Sequence, residues 1–180
     1  MLGNFAMSVP HEVSALMGIA CFTGCSQAPL ATAEKVDLTR YVGTWYEIAR
    51  FDQWFEKDAA AVTAEYRARP DGSIDVINSC HKGSIDGPVE QAKGVARVVD
   101  PQTNAKLKVW FFWPFEGDYW ILRFAPDYSA AAVGSPDRKT LWFLCRSTTM
   151  DVKLYEEWTR SLAADGFDVS RLTRTEQPAK

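Results

Sequence analysis

Between Gly43 and Arg146 the chain passes through eight short runs of strand character, each followed by a turn. The runs span 43–51, 60–68, 73–80, 89–99, 107–113, 119–124, 128–133 and 140–146. Pro70-Asp71-Gly72 is a hairpin turn, because Pro presets φ and Gly supplies a positive φ. Asp100 to Asn104 joins the fourth and fifth runs, Pro114 breaks the fifth, and Gly117-Asp118 turns the chain into the sixth. Gly134-Ser-Pro-Asp-Arg138 links the last two. Strands in hairpin order form an up-and-down meander, and eight of them close into a barrel whose interior is filled by side chains or holds one small ligand. The expected class is all-β: an eight-stranded antiparallel up-and-down β-barrel.

Two segments break the period of two. Asp37 to Tyr41 reads as one helical turn. Farther on, Met150, Leu154, Trp158 and Leu162 are spaced by four, with Glu156, Glu157, Arg160 and Ser161 between them, which makes an amphipathic helix. Thr148 and Asp151 are expected to form a capping box, and Gly166 to stop the helix. A single helix must bury its apolar stripe, so it packs on the outside of the barrel as a C-terminal α-helix. Phe167 to Leu172 is expected to add an edge strand, and Thr175 to Lys180 to be a tail.

The leader has a different composition. Val13 to Phe22 is a short apolar run, too short to span a bilayer and suited to a secretory signal. Its end, Phe22-Thr-Gly-Cys25-Ser-Gln, resembles the lipobox of bacterial lipoproteins, in which a small residue precedes a Cys that becomes lipidated and N-terminal. No Lys or Arg precedes Lys35, a departure from the usual basic start. The implied organisation is a signal peptide over 1–24, a lipidated N-terminus and tether over 25–36, and one domain over 37–177. Lipidation at Cys25 would anchor the protein to a membrane, since several acyl chains on one residue hold stably. Ser26 after that Cys implies sorting to the outer membrane, periplasmic side.

Composition narrows the function. Seven Trp, ten Phe and six Tyr exceed what a small core needs, so the surplus can line an apolar cavity. A net charge of −3 gives no footprint for nucleic acid. Two His and four scattered Cys do not make a metal site, and no cofactor motif is present. Cys80 and Cys145 fall on opposite strand faces, so no disulfide between them is expected.

Gly43-Thr-Trp45-Tyr-Glu-Ile-Ala-Arg50, Pro126-Asp-Tyr128, and Arg146 at the end of Leu141-Trp-Phe-Leu-Cys-Arg146 occur in that order. They resemble the three signatures of the lipocalin family, and the likeness runs from Val36 to Gln177. The wording is similar to the bacterial outer-membrane and apolipoprotein D group of that family. Gly43, Trp45 and Arg146 are therefore structural. Arg146 over the face of Trp45 would close one end of the barrel with a cation–π contact of about 0.5–2 kcal/mol, its fork reaching carbonyls before Trp45.

Strand alternation then selects the inward residues. With Trp45 inward, Glu47 and Ala49 follow. Val76, Asn78 and Cys80 share a face, as do Val109 with Phe111, and Trp142 with Leu144; Tyr119 joins them. The resemblance supports Asn78, Phe111 and Trp142 as cavity positions. Together Glu47, Val76, Asn78, Val109, Phe111, Tyr119, Trp142 and Leu144 are the ligand-binding candidates, an apolar set with few polar groups that suits an amphiphile. The resemblance implies a fatty acid or lysophospholipid, stored or transported at the cell envelope. No catalytic set is evident, so the expectation is a binding protein and not an enzyme. The competing reading is a lipocalin-type enzyme acting through Cys80, although His81 points away from it. Lys106 and Lys108 face solvent. Phe51-Asp-Gln-Trp-Phe55 on the first long loop reads as a lid, a homodimer contact or a membrane edge, or equally as a stretch packed against the domain's own rim.

Overall fold

A computed structural model describes residues 28–53, 57–112 and 115–179. Asp37 caps a single helical turn, α1 (Leu38–Tyr41), through a bond from the Thr39 amide to its carboxylate. Eight antiparallel strands follow: β1 (Gly43–Phe51), β2 (Ala59–Ala68), β3 (Ile74–Lys82), β4 (Val89–Val98), β5 (Lys106–Phe112), β6 (Phe115–Phe124), β7 (Ala130–Gly134) and β8 (Leu141–Cys145). Each pairs with the next, and β1 pairs with both β2 and β8, so the sheet closes into a barrel. Then come α2 (Val152–Ala164) and β9 (Leu172–Arg174), which pairs with β1.

The wall separates two apolar clusters. Inside lie Tyr41, Trp45, Tyr66, Ile74, Val76, Leu107, Val109, Ile121, Val133 and Leu144. Outside, Ile48, Leu122, Ala132, Phe143 and Cys145 meet Met150, which precedes α2, and Trp158 and Leu162 of α2. Phe143 stacks edge-on against both Tyr155 and Trp158. The spacing by four therefore does what the sequence implied, covering one flank of the barrel.

Several local expectations are corrected. Asp151 caps α2 alone, accepting from the Leu154 amide, while the buried Thr148 hydroxyl has no partner, so no capping box forms. Gly117 and Asp118 are not a turn. They lie inside β6, paired with Val109 and Lys108, and the hairpin meets at the Phe112–Phe115 pair. Pro114 lies outside the described residues. The edge strand starts at Leu172, after a 3₁₀ turn over Val169–Arg171. Phe51 is fully buried at the end of β1, beside Phe167 and under Arg171, not on a loop; residues 54–56 lie outside the described set.

The two terminal segments are also ordered. Residues 28–36 are not a loose tether: Leu30 and Val36 are buried, and the Ala33 and Val36 amides donate to Ile121 and Thr103 carbonyls. At the other end β1 and β2 pair only over Gly43–Tyr46. Above that they part, and Thr175 to Gln177 enters the gap. The Thr175 amide donates to the Ile48 carbonyl, the Ala61 amide donates to Glu176, and Gln177 Nε2 donates to the carbonyls of Glu47 and Val62. The expected tail is thus part of the wall.

One end of the barrel is sealed. Arg146 lies 3.8 Å over the Trp45 ring and donates to the carbonyls of Thr44, Arg40, Tyr41 and Val42 at 2.8–2.9 Å. Gly43 sits at φ +103°, and a Cβ there would come within 3.2 Å of Arg146 Nη1, so the signature glycine is required by both conformation and space. We expect Arg146→Ala to destabilise the fold by about 2–4 kcal/mol in urea unfolding, because several carbonyls lose a charged donor at once. Arg146→Lys should recover less than half of that loss, since an ammonium lacks the planar fork.

Candidate functional site

The barrel interior has a packed floor and an accessible upper half. At the floor Trp45 and Ile121 are fully buried, and the Trp45 indole donates to the Tyr41 carbonyl. The hydroxyl of Tyr119 is bonded to those of Tyr41 (2.8 Å) and Tyr66 (2.9 Å). Burial raises the pKa of all three phenols, that of Tyr66 to about 12, so the cluster is neutral at physiological pH. The cavity left among Tyr41, Tyr66, Ile74, Ala96, Leu107, Val109 and Tyr119 is about 10 Å³, at the lower limit for one water. A larger cleft of about 420 Å³ lies outside the wall, between Thr32–Lys35 and Leu122–Phe124, and is not part of the lumen.

Above the floor the register brings the expected residues together. Tyr66 opposes Val76, Ala64 opposes Asn78, Leu107 opposes Tyr119, and Leu144 opposes Glu47. Phe111 lies over Gly94, where a Cβ would come within 2.9 Å of its ring. Val76, Val109 and Leu144 are buried, whereas Ala64, Asn78, Phe111, Tyr119 and Trp142 point inward and remain half-buried. Half-exposure on an inward face above a sealed floor describes a lumen open at the opposite end. The side-chain oxygen of Asn78 is buried without a partner, a polar group available to a ligand. Tyr119 keeps its inward place, but its hydroxyl is already engaged.

Alternation does not extend to Ala49. A bulge between Glu47 and Ala49 turns Ile48 and Ala49 both to the outer cluster and returns Arg50 to the inner face, opposite Trp142. Arg50 then donates to Glu47 (2.7 Å) and to the Thr175 hydroxyl (3.0 Å), which itself bonds Glu47. All three residues are buried. Burial raises the Glu47 pKa, opposed by the charge of Arg50 and by the Thr175 and Arg50 bonds. Glu47 is therefore a partner of Arg50 and Thr175 within the wall. Neither of those two was legible as a site residue; only a bulge and a long-range insertion place them there.

Cys80 lies on the inward face of β3 with Val76 and Asn78, and neither Cys80 nor Cys145 is in a disulfide. Cys145 belongs to the outer cluster under α2, where burial lifts its pKa to about 11. On the outer face Lys108 pairs with Glu116 and Asp118, and Lys106 covers Trp120. Among the described residues no group of His, Cys, Asp and Glu could hold a metal ion, and no helix is long and apolar enough to cross a membrane. Cys25 and the leader lie outside the described residues.

A meander barrel with a sealed floor, an open apolar lumen and one flanking helix is the architecture of a ligand-binding calyx. The model of the lipocalin-like domain matches residues 36–177, and the chain belongs to the lipocalin family. It is similar to the outer membrane lipoprotein Blc of Escherichia coli, 38% identical over 170 residues that cover 94% of this chain and 96% of that protein. Temperature-induced lipocalin-1 of Arabidopsis thaliana is 37% identical over 82% of this chain and 83% of its own. Apolipoprotein D of Macaca fascicularis is 31% identical over 85% and 82% respectively. Among solved structures, insecticyanin of the tobacco hornworm superposes with a TM-score of 0.64 at 21% identity, covering 84% of this chain and 86% of that one, and shows the same fold.

Two outcomes test the site. Glu47→Leu alone should cost about 3–5 kcal/mol, because the buried Arg50 loses its carboxylate partner at 2.7 Å and the exposed Asp52 carboxylate, 3.8 Å away, is a weak replacement, while Glu47→Leu with Arg50→Met should regain most of it in the same unfolding assay. A thiol reagent followed by mass spectrometry should modify Cys80 in the folded protein and reach Cys145 only after unfolding.

Proposed function

We propose that this lipocalin binds a single-chain amphiphile, a fatty acid or lysophospholipid, and stores or transports it at the cell envelope. The observation that carries this is the lumen itself: Ala64, Phe111, Tyr119 and Trp142 offer half-buried apolar surface above a packed floor, with the unpartnered Asn78 oxygen on the same face. An acyl chain there would cover apolar area at about 25 cal/mol per Å², and one or two polar groups would fix its orientation. The chain is anchored by lipid at Cys25 to the outer membrane, a reading supported by the Cys25 lipobox and by the name of the E. coli relative, outer membrane lipoprotein Blc.

This is a binding role and not an enzymatic one. Cys80 faces the lumen, but His81 belongs to the opposite face of the same strand, so a thiol–imidazole pair is not assembled. Native mass spectrometry of the domain from Ser26 onward, purified from cells, should find a stoichiometric fatty acid or lysophospholipid. Phe111→Glu should abolish its retention and Trp142→Ala should weaken it at least tenfold. A barrel that is empty as purified and takes up no added acyl chain would refute the proposal.

A further inference from the structure

The N-terminal segment runs the length of the barrel, and its direction fixes which end an anchor would hold. Val36 lies at the sealed end, where its amide donates to Thr103 in the β4–β5 loop and its carbonyl accepts from Asn104. The Ala33 amide donates to Ile121 near the floor end of β6, and Leu30 is buried in the outer cluster with Leu122 and Trp158. Ala28 is at the other end. Its carbonyl accepts from Arg138 Nη2 at 2.8 Å, and Arg138 belongs to the β7–β8 loop. β7 rises from Tyr128 and β8 descends to Arg146, both at the floor, so the loop between them is on the rim of the open mouth. Arg138 is itself fixed there, donating from Nε to the Asp165 carbonyl at the end of α2.

Resting on acylation of Cys25 as proposed above, we infer that the strap over 28–36 holds the barrel with its open mouth against the lipid surface. Only Ser26 and Gln27 separate Cys25 from Ala28. Three residue steps reach at most about 11 Å. The rim beside Arg138 therefore stays within about that distance of the anchored residue. A nine-residue strand such as β1 is about 30 Å long, and with the usual barrel tilt the floor stands roughly 20 Å farther out. The reverse arrangement, floor to membrane, would require the strap to leave the wall and expose Leu30 and Val36. The partner is the headgroup and acyl region of the bilayer that carries the anchor. Its consequence is direct exchange: a single-chain lipid leaving the bilayer enters the lumen without crossing bulk water, at the high effective concentration that a short tether imposes.

The test uses the full chain, matured in cells and reconstituted into phosphatidylethanolamine–phosphatidylglycerol vesicles carrying a headgroup energy acceptor. In a Cys80→Ser background, one reporter is attached through Lys139→Cys on the mouth rim and another through Gln102→Cys on the floor. Energy transfer should be several-fold stronger from the Lys139 site. Equal transfer, or stronger transfer from Gln102, would overturn the orientation while leaving the anchor intact. Inserting twelve Gly and Ser residues between Gln27 and Ala28 should level the two signals; an unchanged ranking would show that the strap is not what orients the barrel. Flotation separates the underlying reading. A wild-type chain that fails to float with vesicles, or a Cys25→Ser chain that still floats, would remove the lipid anchor and the orientation together.

Discussion

The contact on which the rest depends is Arg146 on Trp45. A barrel closed only by strand pairing has two open ends, and one must be shut before the lumen can select a ligand. Arg146 shuts it by gathering four carbonyls from the segment that crosses the end, so α1 and the start of β1 become a lid fixed from below. The guanidinium suits this place because its planar fork satisfies several acceptors while its face covers the indole. The hydroxyl cluster of Tyr41, Tyr66 and Tyr119 then builds directly on that floor.

A second constraint is the seam between β1 and β2. These strands pair for only four residues, and a barrel left so would expose unsatisfied amides and carbonyls high in its wall. The segment from Thr175 to Gln177 supplies the missing partners. It does so beside a bulge that turns Arg50 inward, and the ion pair with Glu47 gives that insertion a buried polar centre. A buried ion pair is often no more stabilising than apolar packing of similar volume, and here its observed role is to meet the Thr175 hydroxyl inside the wall. The lumen polarity at mid-height is thus set by closure of the wall.

The strap over 28–36 ties these features to a place of action. It links mouth to floor along the flank that α2 also covers, so both terminal segments reinforce one side of the barrel. The other flank, β2 to β5, carries the half-exposed lumen residues Asn78 and Phe111.

Much of this was legible in the residues alone. Alternation of apolar side chains, the Pro70-Asp-Gly72 turn and spacing by four from Met150 are local signals, and local sterics make them reliable. They determined eight antiparallel strands, one outer helix, and which residues of β3, β5 and β8 share a face, while the family resemblance selected the face of Asn78, Phe111 and Trp142, with Val76, Val109 and Leu144, as the inward one. The Gly43–Trp45–Arg146 closure was legible because its motifs resemble the family's signatures, and the cation–π chemistry of a guanidinium on an indole gives that resemblance a physical reason. Tertiary structure alone decided the bulge that expelled Ala49 and admitted Arg50, the entry of Thr175 to Gln177 into the wall, and the course of Ala28 to Val36 along it. Each of these joins segments distant in sequence, and each depends on backbone groups left unpaired by neighbouring strands. A carbonyl in need of a donor has no signature in its own side chain, so only the assembled barrel reveals which segment will satisfy it.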